Sequence, residues 1–411
     1  MKRLSPNFTG MTQLSATTYD ENLVRSPAAW SAVLSMSLCV AVLIASEFMP
    51  VSLLTPIATD LGVTEGQTGQ AISISGVFAV VTSLFISRLT NRFDRRTVLL
   101  AFSASLVLST AIVTFAPSYT VLMVGRALLG VAIGGFWSMS TAIVMRLVPA
   151  HSVPKGLAMI NAGNAIAATI SAPLGSLLGD YVGWRGAFFL VVPLSLVALV
   201  WQWLKLPALP PQRDASSTNV FRLLLRPQVT LGMASIFLLF MGQFALFTYL
   251  RPFLETVTGV PVTTLSLLLL LMGLAGVVGT YLVSQLLQTR LFSIVGTIPL
   301  VMAVIALGLI AFGTSTVLVA ILLIAWGLFG TAAPVGWGTW LSRYLADDAE
   351  AGGGLQVAII QLAITAGAAL GGVLFDTAGW WSTFAFAAAT LGASSLLAVV
   401  AWRSTLTLKP F

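Results

Sequence analysis

Stretches of about twenty residues that are nearly free of charge recur along the whole chain. A helix needs roughly twenty apolar residues to cross the hydrocarbon of a bilayer, and within lipid every backbone N–H and C=O has to be satisfied inside the protein. Such runs fall at 30–54, 68–89, 97–116, 119–147, 157–180, 186–206, 229–253, 263–287, 291–312, 315–344, 353–377 and 381–403. The sequence therefore predicts an all-α membrane protein of twelve spanning helices. Composition excludes a soluble enzyme: 57% of the 411 residues are hydrophobic and 8% are charged, against about 25% charged in soluble domains.

The net charge of +7 is carried in short loops, which leaves no surface able to follow a nucleic-acid backbone. Arg88, Arg92, Arg95 and Arg96, then Arg146 and Lys155, then the stretch from Lys205 to Arg226 alternate with loops holding Asp60, Glu65, Asp180, Glu255 and Asp376. By the positive-inside rule both termini are cytoplasmic, with Arg185 and Arg251 as exceptions. Cys39 and His151 stand alone in their residue types, so neither a disulfide nor a cysteine- or histidine-based metal site is expected, and no cofactor. Residues 1–29 lack the pattern of a cleaved leader, so the first helix is expected to serve as its own insertion signal.

One polar interruption, rich in Pro and Ser, divides the chain. It suggests a cytoplasmic tail (1–29), a six-helix bundle (30–206), a cytoplasmic linker (207–228), a second bundle (229–404) and a short tail (405–411). The halves repeat each other. "LGSLLGDYVGWRGAF" at 174–188 aligns without a gap on "LGGVLFDTAGWWSTF" at 370–384, and Gly130 with Trp137 recurs as Gly330 with Trp337. Helices one and seven each end near a proline, Pro50 and Pro252. Two related bundles around a central site form the plan of many alternating-access transporters.

Two charges lie well inside the runs. Glu47 sits about 7 residues from the outer end of its helix, roughly 10 Å of rise, among Leu43, Ile44, Pro50 and Val51. Arg126 lies at a similar depth in helix four. A charge there costs roughly 2.5–3.5 kcal/mol on insertion scales, so the pair is expected to face each other or a shared water pocket. Proton coupling through Glu47, tuned by Arg126, and a static ion pair between helices one and four both fit the sequence. The glycines of "GVAIGG" and "GLAGVVG" suit close helix approach, and Pro173 is expected to bend helix five.

The chain resembles the major facilitator superfamily across nearly all of residues 30–404, and within it the twelve-helix drug:proton antiporter branch. "SRLTNRFDRRTVLL" is similar to the signature loop after helix two, "GRALLGVAIGG" to the helix-four motif centred on Arg126, and "APLGSLLGDYVGWRGAF" to the helix-five motif of proton-driven exporters. The loop departs from the pattern at Ser87, Asn91 and Asp94, while Arg92, Arg95 and Arg96 match it. The resemblance implies a gating role for Asn91, Arg92, Asp94, Arg95, Arg96 and Pro173, with positive-inside topology as the alternative for the arginines.

"EFMPVSLLTP", "GRALLGVAIGGFWSMS", "GQFALFTYLRP" and "PVGWGTW" resemble exporters of purine ribonucleosides, and relatives in the branch export sugars or drugs. The resemblance thus implies a multi-pass protein of the bacterial inner membrane, monomeric, which exports inosine or guanosine against protons. A nucleoside needs stacking surfaces and a few hydrogen-bonding groups. The candidates are Phe136, Trp137, Ser138 and Ser140, with Asn161 and Asn164; then Gln243, Phe247 and Tyr249; then Trp337, Trp340 and Gln361. Any of these aromatics can equally be packing or interface anchors. An uncoupled facilitator is the second transport reading. A membrane enzyme or a receptor is the reading from another class, and paired nucleophile and base groups at membrane depth are missing for the former.

Overall fold

The computed structural model describes residues 29–90, 93–211, 223–345 and 349–407. In chain order the helices are α1 (Trp30–Ser52), α2 (Leu54–Leu61), α3 (Glu65–Thr90), α4 (Arg95–Thr114), α5 (Tyr119–Leu147), α6 (Val153–Lys205), α7 (Pro227–Thr248), α8 (Leu250–Thr256), α9 (Val262–Phe312), α10 (Thr316–Gly330), α11 (Ala333–Tyr344), α12 (Ala349–Ala378) and α13 (Trp380–Thr407). There is no strand among the described residues. α6 contains two spans that meet at Gly183, and α9 contains two that meet at Arg290. α1 with α2, α7 with α8, and α10 with α11 each make one span, so the spans number twelve. The face on which α1 begins is here the linker face; the face on which it ends is the distal face.

Three spans expected to be continuous are broken, and proline accounts for the breaks. Pro56 is the third residue of α2, Pro252 the third of α8 and Pro334 the second of α11. A proline near a helix start is tolerated because its missing N–H would have no partner there, and in mid-helix it costs a hydrogen bond. The structural counterpart of Pro252 is accordingly Pro56, not Pro50. Four glycines have positive φ: Gly62 (64°) and Gly259 (68°) after the short helices, Gly183 (72°) and Gly379 (86°) at matching interspan turns of the two halves. Such angles suit glycine alone among common residues, so the repeat extends to the backbone conformation.

Buried apolar side chains form two clusters. One draws mainly on residues 32–209, the other mainly on residues 223–398. Glycines bring the helices close. A Cβ on Gly130 would lie 2.1 Å from the Ser75 carbonyl oxygen, and one on Gly134 would lie 2.2 Å from that of Ala79, which docks α5 on α3. Gly279 and Gly327 do the same between α9 and α10, where a Cβ would meet the carbonyls of Leu328 and Met272 at 1.8 and 1.9 Å.

The two basic residues on the distal face, exceptions to the charge rule, are held by specific partners. Arg185 donates to Asp60 and, at 2.7 Å, to the Ala116 carbonyl, and Trp184 also donates to Asp60. Arg251 donates to Glu255 at 2.8 Å and to the Ser52 carbonyl.

Replacing Gly134 by valine should lower the thermal midpoint in detergent, at a cost of roughly 1–3 kcal/mol, because the obstacle is backbone and cannot rotate away. Gly338→Ala, with nothing within 4 Å of the added carbon, should leave the midpoint unchanged or raise it.

Candidate functional site

Arg126 is completely buried, and its surroundings explain how α1 can carry both Glu47 and Pro50. A proline at position 50 withholds the N–H that would bond to the carbonyl four residues back, at Ser46. Arg126 takes that acceptor: Nη1 donates to the Ser46 oxygen at 2.6 Å. Nε donates to the Ala71 carbonyl at 2.8 Å, and Nη2 donates to Ser75 Oγ at 3.0 Å and to the Glu47 carbonyl at 3.2 Å. One guanidinium from α5 thereby ties α1 to α3.

The Glu47 side chain is 2% exposed. Its polar neighbours are the Gln361 side chain of α12 and the charge of Arg126. The two charged groups share a depth but form no direct ion pair; among the described residues the ion pairs are Arg185–Asp60 and Arg251–Glu255. Arg126 spends four hydrogen bonds on backbone carbonyls and Ser75, so the Glu47 carboxylate is left to meet the other half of the molecule.

Beside Glu47, an aromatic group crosses between the halves. Phe48 stacks on Phe244 with centroids 5.5 Å apart, and Phe247 lies edge-on to Phe48 and Phe244 at 6.4 and 6.0 Å. Closer to the distal face the halves are joined by polar contacts. Asp376 accepts from Thr64 Oγ1 at 2.6 Å and from the Gly66 N–H at 3.1 Å, so a carboxylate at the end of α12 caps the start of α3. Tyr249, held in its own half by donating to the Ala368 carbonyl at 2.8 Å and stacking on Phe375 at 5.1 Å, brings its hydroxyl to 3.5 Å from the Gly66 carbonyl of the other half. Gln70 and Ser73 donate to the carbonyls of Ala369 and Thr365. Arg251 adds its bond to Ser52, the carbonyl freed by Pro56. Among the described residues, every hydrogen bond given above between the halves lies in the distal part of the bundle.

The other candidates from the sequence separate by exposure. Phe136 is fully buried, and Trp337 and Trp340 are 2% and 3% exposed, packed edge to face at 5.5 Å. Ser140 is buried and donates to the Trp137 carbonyl. Trp137, Asn164, Gln243, Phe247 and Gln361 are partly accessible, and Ser138 and Asn161 are exposed. The Oε1 atoms of Gln243 and Gln361 are buried without a hydrogen-bond partner. Pro173 is buried in α6 two residues before Gly175, which packs on Ser52 and Met49 of α1.

In the signature-like loop, Asn91 and Arg92 lie outside the described residues. Asp94 caps α4 by accepting from the Arg96 N–H at 2.7 Å, and it also accepts from the Leu209 N–H at 3.0 Å. The Arg95 N–H donates to the Leu209 carbonyl at 2.9 Å, so this loop clamps the start of the linker. Sequence reasoning missed Thr64, Gly66 and Asp376 as residues that join the halves and Ser75 as a partner of Arg126, and it took Arg251 only as an exception to a rule. The one available signal was proline: positions 50 and 56 each release a carbonyl four residues earlier.

Duplicated bundles of six spans, with a buried acid beside a cross-half aromatic group, define a secondary transporter. The chain belongs to the Major Facilitator Superfamily, which it matches over residues 36–353. It is 53% identical over 398 residues to a Pseudomonas aeruginosa protein named transcription regulatory protein OpdE, covering 96% of this chain and 99% of that one. It is 45% identical over 368 residues to the purine ribonucleoside efflux pump NepI of Shigella sonnei, covering 90% and 93%. The pump of the same name from Salmonella paratyphi B is 44% identical over 376 residues, covering 92% and 95%. The protein is thus a multi-pass membrane transporter of small molecules.

Arg126→Lys keeps the charge but loses the forked geometry, and should lower the thermal midpoint by the equivalent of roughly 2 kcal/mol or more. In a Pro50→Ala background the same substitution should cost about 1 kcal/mol less, because the Ser46 carbonyl regains its helical donor. Equal losses in both backgrounds would show that Pro50 and Arg126 are not coupled.

Proposed function

We propose that this protein exports purine ribonucleosides such as inosine and guanosine from the cytoplasm of a bacterial cell by proton antiport. The observation that carries the coupling is Glu47: a buried carboxylate whose nearest cation is already committed to carbonyls, so that its proton occupancy follows the movement of the opposite half. A buried carboxylate between an apolar site and a changing polar neighbour is suited to binding and releasing a proton. One charge moved across 100 mV is worth roughly 2.3 kcal/mol, between one and two decades of concentration for a neutral solute.

The substrate reading rests on the efflux pumps to which the chain is 44–45% identical and on side chains suited to a nucleoside. Trp137 and Phe247 offer faces for stacking; Asn161, Asn164, Gln243 and Gln361 offer donors and acceptors. Residues 30–206 and 229–404 act as two rocking halves joined by the cytoplasmic linker at 207–228, with both termini in the cytoplasm of the inner membrane. The arrangement is then closed to the outside, through Asp376, Tyr249 and Arg251, and able to load from within. The protein works as a monomer, and nucleic acid is not a partner. The regulatory name of the Pseudomonas relative fits the same chemistry if regulation there acts through removal of a solute.

The test uses purified protein in liposomes with a pH-sensitive dye outside and inosine added. Wild type should move protons on addition of inosine, and Glu47→Gln should not, while still exchanging labelled inosine. Inosine equilibration without proton movement in wild type would leave a facilitator, with Glu47 structural. Movement of neither would overturn the nucleoside assignment and turn attention to sugars and drugs.

A further inference from the structure

At the linker face the outer edges of α4 and α6 part to form a groove of about 480 Å³. Thr97, Leu100, Ala101 and Ala104 line it from one stripe of α4, and Leu199, Val200 and Trp203 line it from α6. The small side chains of Ala101 and Ala104 give it depth, and Trp203 is 59% exposed at its rim, as expected for an indole at a membrane interface. The groove opens outward, toward the hydrocarbon of the bilayer.

Arg96, one residue before Thr97, stands at the mouth. Its Nη2 donates to the Trp203 carbonyl at 2.7 Å. Its Nε is buried and has no hydrogen-bond partner. The nearby acid does not supply one: Asp94 accepts from the backbone N–H groups of Arg96 and Leu209, and Arg96 is in no ion pair among the described residues. The side chain as a whole is only partly buried, so a guanidinium with no anionic partner among the described residues stands accessible at the surface end of an apolar groove.

The related corner of the second half shows the alternative solution. There Phe292, near the start of the second span of α9, stacks on Trp402 of α13 with centroids 6.1 Å apart and planes 13° from parallel. Rings from the two spans meet at that corner, whereas the facing side chains of the first half leave a groove.

We propose that this groove is a site for one anionic phospholipid, with an acyl chain between α4 and α6 and the headgroup phosphate on Arg96. A free phosphate would satisfy the guanidinium but leave the groove unused, and a zwitterionic lipid would fill the groove but gain less from the cation. The site is separate from the path of the transported solute.

The experiment is native mass spectrometry of the full-length protein in detergent, titrated with phosphatidylglycerol, with phosphatidylcholine of the same chains, or with inorganic phosphate. Wild type should retain one phosphatidylglycerol in preference to phosphatidylcholine. Arg96→Gln should weaken that binding roughly tenfold and leave phosphatidylcholine unchanged. Ala101→Trp, which fills the groove and leaves the arginine in place, should also displace phosphatidylglycerol, and thermal midpoints establish that both variants are folded. Equal binding of the two lipids, or wild-type phosphatidylglycerol binding by folded Arg96→Gln, would overturn the proposal. Inorganic phosphate bound as tightly as the lipid, with Ala101→Trp inert, would reduce the site to a bare anion site and overturn its lipid part.

Discussion

A single guanidinium fixes the centre of this transporter. Burying a cation in the middle of a membrane protein is unfavourable by several kcal/mol unless its donors are met. Arg126 meets four acceptors, and the shortest of these bonds goes to a carbonyl that a proline has released from its own helix. Pro50 and Arg126 therefore act as complementary halves of one device: the proline creates an acceptor that the helix cannot satisfy, and the arginine satisfies it from another helix. Gly130 and Gly134 let α5 lie close enough to α3 for the guanidinium to reach across. The backbone on either side of Glu47 is held firmly as a result, while its carboxylate faces α12.

Two kinds of contact divide the labour. Inside each half the helices meet through apolar side chains and glycines, contacts that are dense and hard to reverse. Between the halves, the contacts are hydrogen bonds to carbonyls, a carboxylate on a helix start, and one stacked pair of rings beside Glu47. Such bonds are modest individually and can be exchanged for water. That contrast is what a pair of rigid bodies needs if they are to move against each other, and it agrees with membership of a superfamily of transporters.

Much of the fold was legible in the sequence because bilayer thickness imposes a length on every helix. Twelve apolar runs gave twelve spans, and the aligned Asp, Gly and Trp of the repeat marked the duplication, whose matching left-handed glycines only the structure shows. The helix breaks at Pro56, Pro252 and Pro334 were hidden, because hydropathy averages over them. At the site, Glu47 and Arg126 stood out by being charged, but their mutual arrangement did not: a shared depth suggested that they face each other or a common water pocket, whereas backbone carbonyls, invisible to composition, take most of the arginine's donors. Asp376 escaped notice for a related reason. It looked like one more acid in an outer loop, and its role as a cap depends on which helix start the other half presents to it. Trp337 and Trp340 were attractive as stacking surfaces by type alone, and the structure places them in the packed interior of the second half.

The carbonyl of Ser52 bears on what an opening of the distal face would require. Pro56 has removed its helical donor, and Arg251 of the other half replaces it. In the transport cycle proposed above, separation of the halves would take that donor away and leave a naked carbonyl oxygen for water to solvate. Hydration of the seam would then be a condition of the movement rather than its by-product.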